Sequence, residues 1–173
     1  MSQGARLALH FALAHPGRVS ALVLDGAPAI ESESELPLVL YRQRLETAGT
    51  AALRAMILTH PLMQLHAQSA DARAALLESL SHYRGLDLLH PVARATAPDL
   101  KQVRAPTLIL NGALDSIERR EAGELLAASI AQTSRAQLPN AGHLALLDDP
   151  LAYCSTVTAY LLQHSREPQG EQQ

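Results

Sequence analysis

Short apolar runs separated by polar and helical segments are the main pattern along this chain. Residues 21–24 are apolar throughout, 106–110 is apolar except for Thr107, and 135–138 is a weaker run of the same kind. A strand that lies inside a parallel sheet is apolar on both faces and therefore shows an unbroken run. The pattern predicts three parallel strands in sequential order, at about 21–25, 106–111 and 134–138.

Longer segments between and beyond these runs show helical spacing. Apolar residues recur every three or four positions from Gln3 to His15, where Pro16-Gly17 ends the helix. Further helices are expected at about 118–130, between the second and third strands, and at about 150–164. Strands that alternate with helices indicate an α/β fold built on a parallel sheet.

The stretch from Ile30 to Pro98 differs, because it contains helical patterns and no clear strand. The helical patterns are at 38–45, 51–58 and 72–80. We expect a helical cap that covers the carboxyl ends of the strands. The predicted organisation is an α/β core at 1–30 and 99–165, a cap or lid at 31–98, and a disordered tail at 166–173.

Composition and charge exclude several classes of function. The 173 residues carry a formal net charge of -3, which gives no basic face for nucleic acid. No apolar run is long enough to cross a bilayer. Cys154 is the only cysteine, so an internal disulfide and a thiolate cluster are excluded, and the residue is expected to be a small buried hydrophobe. These features favour a cytoplasmic protein, although a targeting segment upstream of Met1 stays open.

Histidine spacing gives no reason to expect a metal site. The histidines other than His143 form no i, i+4 pair on a predicted helix, and no cysteine lies near them as a further ligand. His60, His66 and His82 lie in the predicted cap. Their types and positions fit either a pocket lining or local solvation, and the sequence does not choose between these two interpretations.

Three residues have the types and surroundings that nucleophilic catalysis needs. Ser2-Gln3-Gly4 is the second half of a G-x-S-x-G elbow, a tight turn that needs small flanking residues and is followed by a helix. Asp115 lies just beyond the second strand, at the sheet edge where active sites of α/β folds gather, although it could also cap the next helix. His143 follows the third strand, and histidine, whose unperturbed pKa in general lies near 6.5, is the residue type suited to proton transfer near neutral pH. Asp25, after the first strand, is the alternative acid.

Several stretches together resemble α/β-hydrolases. They are SQGARLALHFALAHPGRVSALVLDGAP near the start, the segment from Asp99 through PTLIL to Asp115, and the segment from Leu138 through PNAGH to Asp149-Pro150. The resemblance implies a catalytic triad of Ser2, Asp115 and His143, in the chain order of that family, with the backbone N–H of Gln3 as one oxyanion donor. It also implies a chain truncated at the elbow, because the preceding strand and the loop with the second donor are not in this sequence.

The resemblance further implies hydrolysis of a carboxylic ester or lactone through an acyl-enzyme, without a cofactor. The C-terminal motifs are somewhat similar to those of 3-oxoadipate enol-lactonase relatives. A serine at the elbow argues against haloalkane dehalogenase chemistry, which needs a carboxylate nucleophile. We expect a small-molecule substrate and no nucleic-acid or membrane partner.

A second hypothesis, besides the serine hydrolase, concerns the beginning of the chain. The chain could be a non-catalytic fragment, either one half of a split hydrolase or the product of a mis-started gene. Its first strand would then offer an unpaired edge to a partner half or to a second copy, and the chain alone would fold and catalyse poorly. A third hypothesis is an N-terminal-nucleophile enzyme, in which loss of Met1 frees the amino group of Ser2.

Overall fold

A computed structural model describes residues 1–27, 36–90 and 99–164 of the chain. The described residues contain three strands: β1 (Leu22–Asp25), β2 (Thr107–Gly112) and β3 (Thr133–Leu138). All pairings are parallel, and the order is β1-β2-β3. The three predicted strands, their direction and their sequential order are therefore confirmed.

Helices cover the two faces of this sheet. Around the sheet lie α1 (Gln3–Ala14), α5 (Ile117–Ser129), α6 (Ala145–Asp148) and α7 (Pro150–His164). The single-turn 3₁₀ helices are Pro16–Arg18, Pro61–Met63 and Leu100–Gln102. The predicted helices at 3–15, 118–130 and 150–164 match α1, α5 and α7 to within about a residue at each end.

Alternate residues of the strands point to opposite faces, which gives the sheet two cores. Leu24 and Ile109 pack with α1 and α5, together with Leu9 and Leu126. On the other face, Leu108 and Leu110 pack with α6 and α7, in a cluster that includes Tyr160. The unbroken apolar runs of β1 and β2 follow from this arrangement, because both of their faces are covered.

The described part of the predicted cap, residues 36–90, is helical. It contains α2 (Leu38–Leu58), α3 (Ala70–His82) and α4 (Leu86–Leu89), and no strand. Gly49 interrupts α2 with φ 79° and ψ -179°, which separates the two helical patterns seen in the sequence. Tyr41, Leu53 and Leu88 form a small core of their own. The junctions at 28–35 and 91–98, and the predicted tail at 166–173, lie outside the described residues.

Two local expectations are wrong. Cys154 is exposed, because it lies on the solvent side of α7, so it is not a buried hydrophobe. Crowding was the reason expected for Gly4 in the elbow, but a Cβ placed there would meet no atom within 4 Å. Gly4 instead borders an open apolar groove between α1 and β1.

The edge of β1 that faces away from β2 has no strand partner among the described residues. The adjoining groove has a volume of about 510 Å³ and is lined by apolar side chains, including Leu7 and Phe11 of α1. These two side chains are 71% and 45% exposed. In the part of the chain that the structure describes, no helix has the length and apolarity needed to cross a membrane.

Candidate active site

The predicted acid and base meet beyond the carboxyl ends of β2 and β3. His143 Nδ1 lies 3.1 Å from Asp115 Oδ2, and the two side chains are only 2% and 1% exposed. The other carboxylate oxygen of Asp115 accepts a hydrogen bond from the Ser116 backbone N–H at 2.8 Å. His143 Nε2 is buried and has no hydrogen-bond partner among the described residues. The ring is thus held at one nitrogen and available at the other.

The alternative reading of Asp115 as a helix cap is wrong in detail. The residue that caps α5 is Ser116, whose hydroxyl oxygen accepts from the Arg119 backbone N–H at 3.2 Å. Asp115 lies one residue earlier, where its carboxylate is free to face His143. A serine between the acid and the helix therefore separates capping from the contact with the imidazole.

Close packing at the end of β2 places the loop that carries His143. A Cβ on Gly112 would overlap the backbone carbonyl oxygens of Ala141 and Gly142, so only glycine fits there. The loop is also hydrogen-bonded to the segment after β2, since the Leu114 N–H donates to the Ala141 carbonyl at 2.9 Å. The sequence Asn-Gly at 111–112 therefore lets the two loops cross and brings Asp115 and His143 together.

Gly26 forms the wall behind the imidazole. It has φ +52°, and a Cβ built on it would lie 3.0 Å from His143 Cε1 and 3.1 Å from Nδ1. The fully buried Arg119 donates from its guanidinium to the Gly26 carbonyl oxygen at 3.1 Å. Sequence reasoning did not single out Gly26 or Arg119. The one available signal for Gly26 was its position directly after a buried strand. Arg119 gave no signal, because an arginine within a helical pattern is ordinarily exposed.

Asp25, the alternative acid, lies near the pair but bonds elsewhere. Its Oδ2 accepts from the Tyr153 hydroxyl at 3.2 Å, and its Oδ1 is buried without a hydrogen-bond partner among the described residues. Burial raises the pKa of Asp25 to about 6, although the Met1 amino group, the Tyr153 hydroxyl and His143 partly offset this rise. Burial of the Tyr153 hydroxyl, the larger cause, and the Asp25 charge, the next, raise the pKa of Tyr153 to about 12. The contact with His143 Nδ1 belongs to Asp115.

Ser2 adopts the backbone conformation of a strained turn. Its φ of 52° and ψ of -125° make it the one non-glycine residue with positive φ in the described ranges. Such a conformation costs on the order of 1–3 kcal/mol and is often found at functional sites. The Ser2 N–H donates to the Asp25 carbonyl at 2.8 Å, and α1 begins at Gln3. Ser2 is therefore held beside the end of β1, next to the Gly26 that touches His143.

The three histidines of the predicted cap differ in whether they line a pocket or are solvated. His60 Nδ1 accepts from the Leu62 N–H at 3.2 Å, and His60 lines a cavity of about 720 Å³ that lies within the cap segment. His82 is exposed. His66 is half-buried, and its ring lies against Gly142, so that a Cβ at Gly142 would overlap it. No group of three potential metal ligands is found among the described residues.

A family model described as "Alpha/beta hydrolase family" matches residues 1–156 of the chain. Among curated proteins, the "Putative carbamate hydrolase RutD" of Klebsiella pneumoniae (strain 342) is 31% identical over 156 residues. That match covers 84% of this chain and 58% of the relative. The chain thus spans less than two thirds of the length of this relative.

Solved structures with the same fold include MenH from S. aureus, with a TM-score of 0.79, 18% identity, and coverage of 95% of this chain and 67% of that one. The enol-lactonase from Burkholderia xenovorans LB400 gives a TM-score of 0.72 at 21% identity, with coverage of 94% and 64%. At sequence identities this low, the similarity shows a shared fold only.

Proposed function

The chain belongs to the alpha/beta hydrolase family, and on that premise we propose that Ser2, His143 and Asp115 form the catalytic triad of a serine hydrolase. The observation that carries the proposal is the buried His143–Asp115 contact of 3.1 Å, which leaves Nε2 without a partner. The strained backbone of Ser2, tied to the end of β1, supports its assignment as the nucleophile.

In this mechanism the Ser2 Oγ attacks a substrate carbonyl carbon while His143 Nε2 takes the hydroxyl proton. The Asp115 carboxylate accepts the Nδ1–H of His143, which fixes the tautomer with a free Nε2 and stabilises the imidazolium. Collapse of the tetrahedral intermediate expels the leaving alkoxide, which takes the proton back from Nε2. Water, activated by His143, then hydrolyses the acyl-serine ester and restores the hydroxyl.

One oxyanion donor can be assigned in this chain. Gln3 is the first residue of α1, and the first N–H groups of a helix have no partner within that helix. Its N–H would bind the negative oxygen of the intermediate, where the positive end of the helix dipole also favours it. By the family resemblance the second donor comes from a segment upstream of this sequence, so we propose that full activity needs residues upstream of Met1.

Asp115 is favoured over Asp25 as the triad acid for two reasons. Of the two, only Asp115 lies within hydrogen-bond distance of His143 Nδ1, and a backbone N–H bonded to its second oxygen holds the carboxylate in place. Asp25 instead accepts from the Tyr153 hydroxyl, and its other oxygen is buried without a hydrogen-bond partner among the described residues.

For the substrate we propose a small carboxylic ester or lactone. A carbamate is the second candidate, because the relative from Klebsiella carries the name of a carbamate hydrolase at 31% identity. Both classes present a carbonyl carbon to the same nucleophile, and they differ in the leaving group that His143 must protonate. We further propose an intracellular location and no requirement for a cofactor.

Labelling with a fluorophosphonate, which phosphonylates an activated serine, tests the triad. The 173-residue chain and an upstream-extended version should be compared, and the labelled residue should be located by mass spectrometry. We expect Ser2 to be labelled, more rapidly in the extended version. Labelling should be lost in Ser2→Ala and His143→Gln and retained in Ser155→Ala, which removes an exposed hydroxyl on α7. Labelling at another serine would refute the assignment.

The same experiment separates the alternatives. A 173-residue chain that is a non-catalytic product of a mis-started gene would label only in the upstream-extended version, and one half of a split enzyme would label only with its other half present. An N-terminal-nucleophile enzyme would lose its reactivity when the α-amino group is blocked, whereas the proposed triad would keep it. Turnover of p-nitrophenyl esters, lactones and carbamates then ranks the substrate classes.

A further inference from the structure

Asp148 ties the cap segment to the loop that carries His143. Its Oδ1 accepts the backbone N–H groups of His66 at 2.7 Å and of Ala67 at 3.0 Å. Its Oδ2 accepts the backbone N–H of Gly142 at 2.8 Å. We call these three hydrogen bonds the Asp148 clamp. The two bonded segments are more than seventy residues apart in sequence, so the clamp is a tertiary link.

Local structure directs the Asp148 side chain back toward the loop. Asp148 ends the short helix α6, and its own N–H donates to the Leu144 carbonyl at 3.0 Å, which closes one helical turn. That turn begins directly after His143. The carboxylate therefore reaches Gly142, the residue immediately before the proposed base.

The chemistry of the clamp requires a carboxylate. Three N–H donors converge on two oxygens, and only an ionised carboxylate accepts on both. Hydrogen bonds from N–H groups to a charged oxygen are among the stronger ones in proteins. A carboxamide of the same shape could serve the cap segment or Gly142, but not both.

A second contact shows how tightly the two segments fit. The His66 ring lies against Gly142, where a Cβ would overlap it. Each segment therefore contributes one side chain to the contact. Asp148, next to the loop, binds the backbone N–H groups of 66–67, and the His66 ring packs against Gly142 in the space that a Cβ would occupy.

We propose that Asp148 is a positioning residue that couples the seating of the cap segment at 66–67 to the placement of His143. It does not touch the reacting atoms. When the cap segment is seated, the carboxylate fixes Gly142 and, through the next peptide, the backbone of His143. This inference rests on the proposed function for its catalytic consequence, but the clamp itself can be tested without catalysis.

Hydrogen exchange measured by mass spectrometry tests the clamp directly. Asp148→Ala removes all three acceptor contacts, and we expect exchange at 66–67 and at 142 to accelerate about tenfold or more. Exchange within β2 should stay unchanged, which would distinguish a local release from general unfolding. Asp148→Asn is the second variant and should release one of the two segments, which keeps the test decisive if the alanine variant folds poorly.

Asp149→Asn is the matched control, because it removes the same charge from the neighbouring position. Asp149 accepts from the Ala152 N–H at 3.0 Å at the start of α7, and asparagine can replace it there. We expect no change at 66–67 or 142 in this variant. Unchanged exchange at both segments in Asp148→Ala, or an equal effect in Asp149→Asn, would overturn the clamp.

The catalytic arm uses the fluorophosphonate reaction at Ser2 in the upstream-extended protein. Asp148→Ala should slow labelling about tenfold or more, and Asp148→Glu should restore part of the rate, because it returns two acceptor oxygens. If the unsubstituted protein labels at Ser2 and the Asp148 variants label equally fast, the positioning role is wrong. If the unsubstituted protein does not label at Ser2, the proposed function fails, and the exchange data still decide the clamp.

Discussion

Replacing Asp25 by asparagine should stabilise the protein near neutral pH and leave the proposed chemistry in place. Asp25 is 3% exposed, and one of its carboxylate oxygens has no hydrogen-bond partner among the described residues. Burial without a compensating partner disfavours the charged form, which is why the pKa is raised. Asparagine has nearly the same shape, carries no charge, and keeps an oxygen that can accept from the Tyr153 hydroxyl.

The size of the effect follows from the shift in pKa. The carboxyl group titrates near 3.8 in the unfolded chain and at about 6 in the folded one. Well below pH 3.8 it is protonated in both states, and its ionisation has no effect on stability. As the pH rises from about 4 to 6, the unfolded chain loses its proton first, so folding loses stability. Above pH 6 the loss is complete, at about 3 kcal/mol.

Urea unfolding of Asp25→Asn and the unsubstituted chain, at unit steps from pH 4 to pH 8, measures this effect. We expect the two free energies of unfolding to differ by less than about 1 kcal/mol near pH 4 and by up to about 3 kcal/mol in favour of the variant at pH 7. Taking the difference at each pH removes the contributions of the other carboxylates. A variant that is less stable at pH 7, or a difference that does not change with pH, would refute the reasoning.

The same variant separates the two candidate acids. If Asp115 is the acid of the triad, Asp25→Asn should retain most of the labelling rate at Ser2. Asp115→Asn should reduce that rate by on the order of 10⁴, because asparagine favours the wrong histidine tautomer. The opposite ranking would assign the triad acid to Asp25.

Two further predictions concern packing around the site, and a third concerns the groove beside β1. Gly26→Ala should slow labelling at least tenfold, because its Cβ would press on the imidazole of His143, whereas Gly17→Ala, with no atom within 4 Å of the new Cβ, should not. Arg119→Met should lower the free energy of unfolding by about 1.5–3 kcal/mol in urea titrations, because it leaves the Gly26 carbonyl without its charged donor. Phe11→Ser should reduce self-association in light scattering and change the free energy of unfolding by less than about 1 kcal/mol, since Phe11 lines the exposed groove beside β1. Unchanged labelling in the glycine variant, unchanged unfolding in the arginine variant, or unchanged scattering in the phenylalanine variant would each contradict its prediction.

The sheet could be predicted from the sequence because its signal is local. Unbroken apolar runs at 22–24 and 108–110 reflect burial on both faces, and this burial holds wherever the rest of the chain lies. β3 gave a weaker signal for a physical reason. It contributes several exposed or half-buried residues, including Arg135 and Gln137, and pairs with β2 on one edge only. Its position was nevertheless correct, because Leu138 and the following loop mark its end.

Contacts that depend on distant segments could not be predicted in this way. Asp148 resembles an ordinary acidic residue before Asp149-Pro150, and nothing near it in the sequence shows that residues 66–67 will supply its donors. Arg119 lies in a polar stretch of α5, so its full burial under Gly26 contradicts the usual exposure of arginine. Exposure of Cys154 was missed for a related reason, because residue type alone does not show which side of α7 faces the sheet.

Three carboxylates lie near His143 or bind the loop that carries it, and their hydrogen-bond donors decide what each can do. Asp115 takes one backbone N–H and faces the imidazole, so it stays suited to balance a positive charge there. Asp148 takes three backbone N–H groups from two separate segments, which suits it to hold the loop in place. Asp25 takes a single tyrosine hydroxyl and remains largely desolvated, so its charge is costly near neutral pH. The sequence placed both Asp25 and Asp115 after strands of the sheet, with Asp115 as the expected acid and Asp25 as the alternative. Their different donors make them inequivalent, and the same comparison brings in Asp148, which the motif did not include.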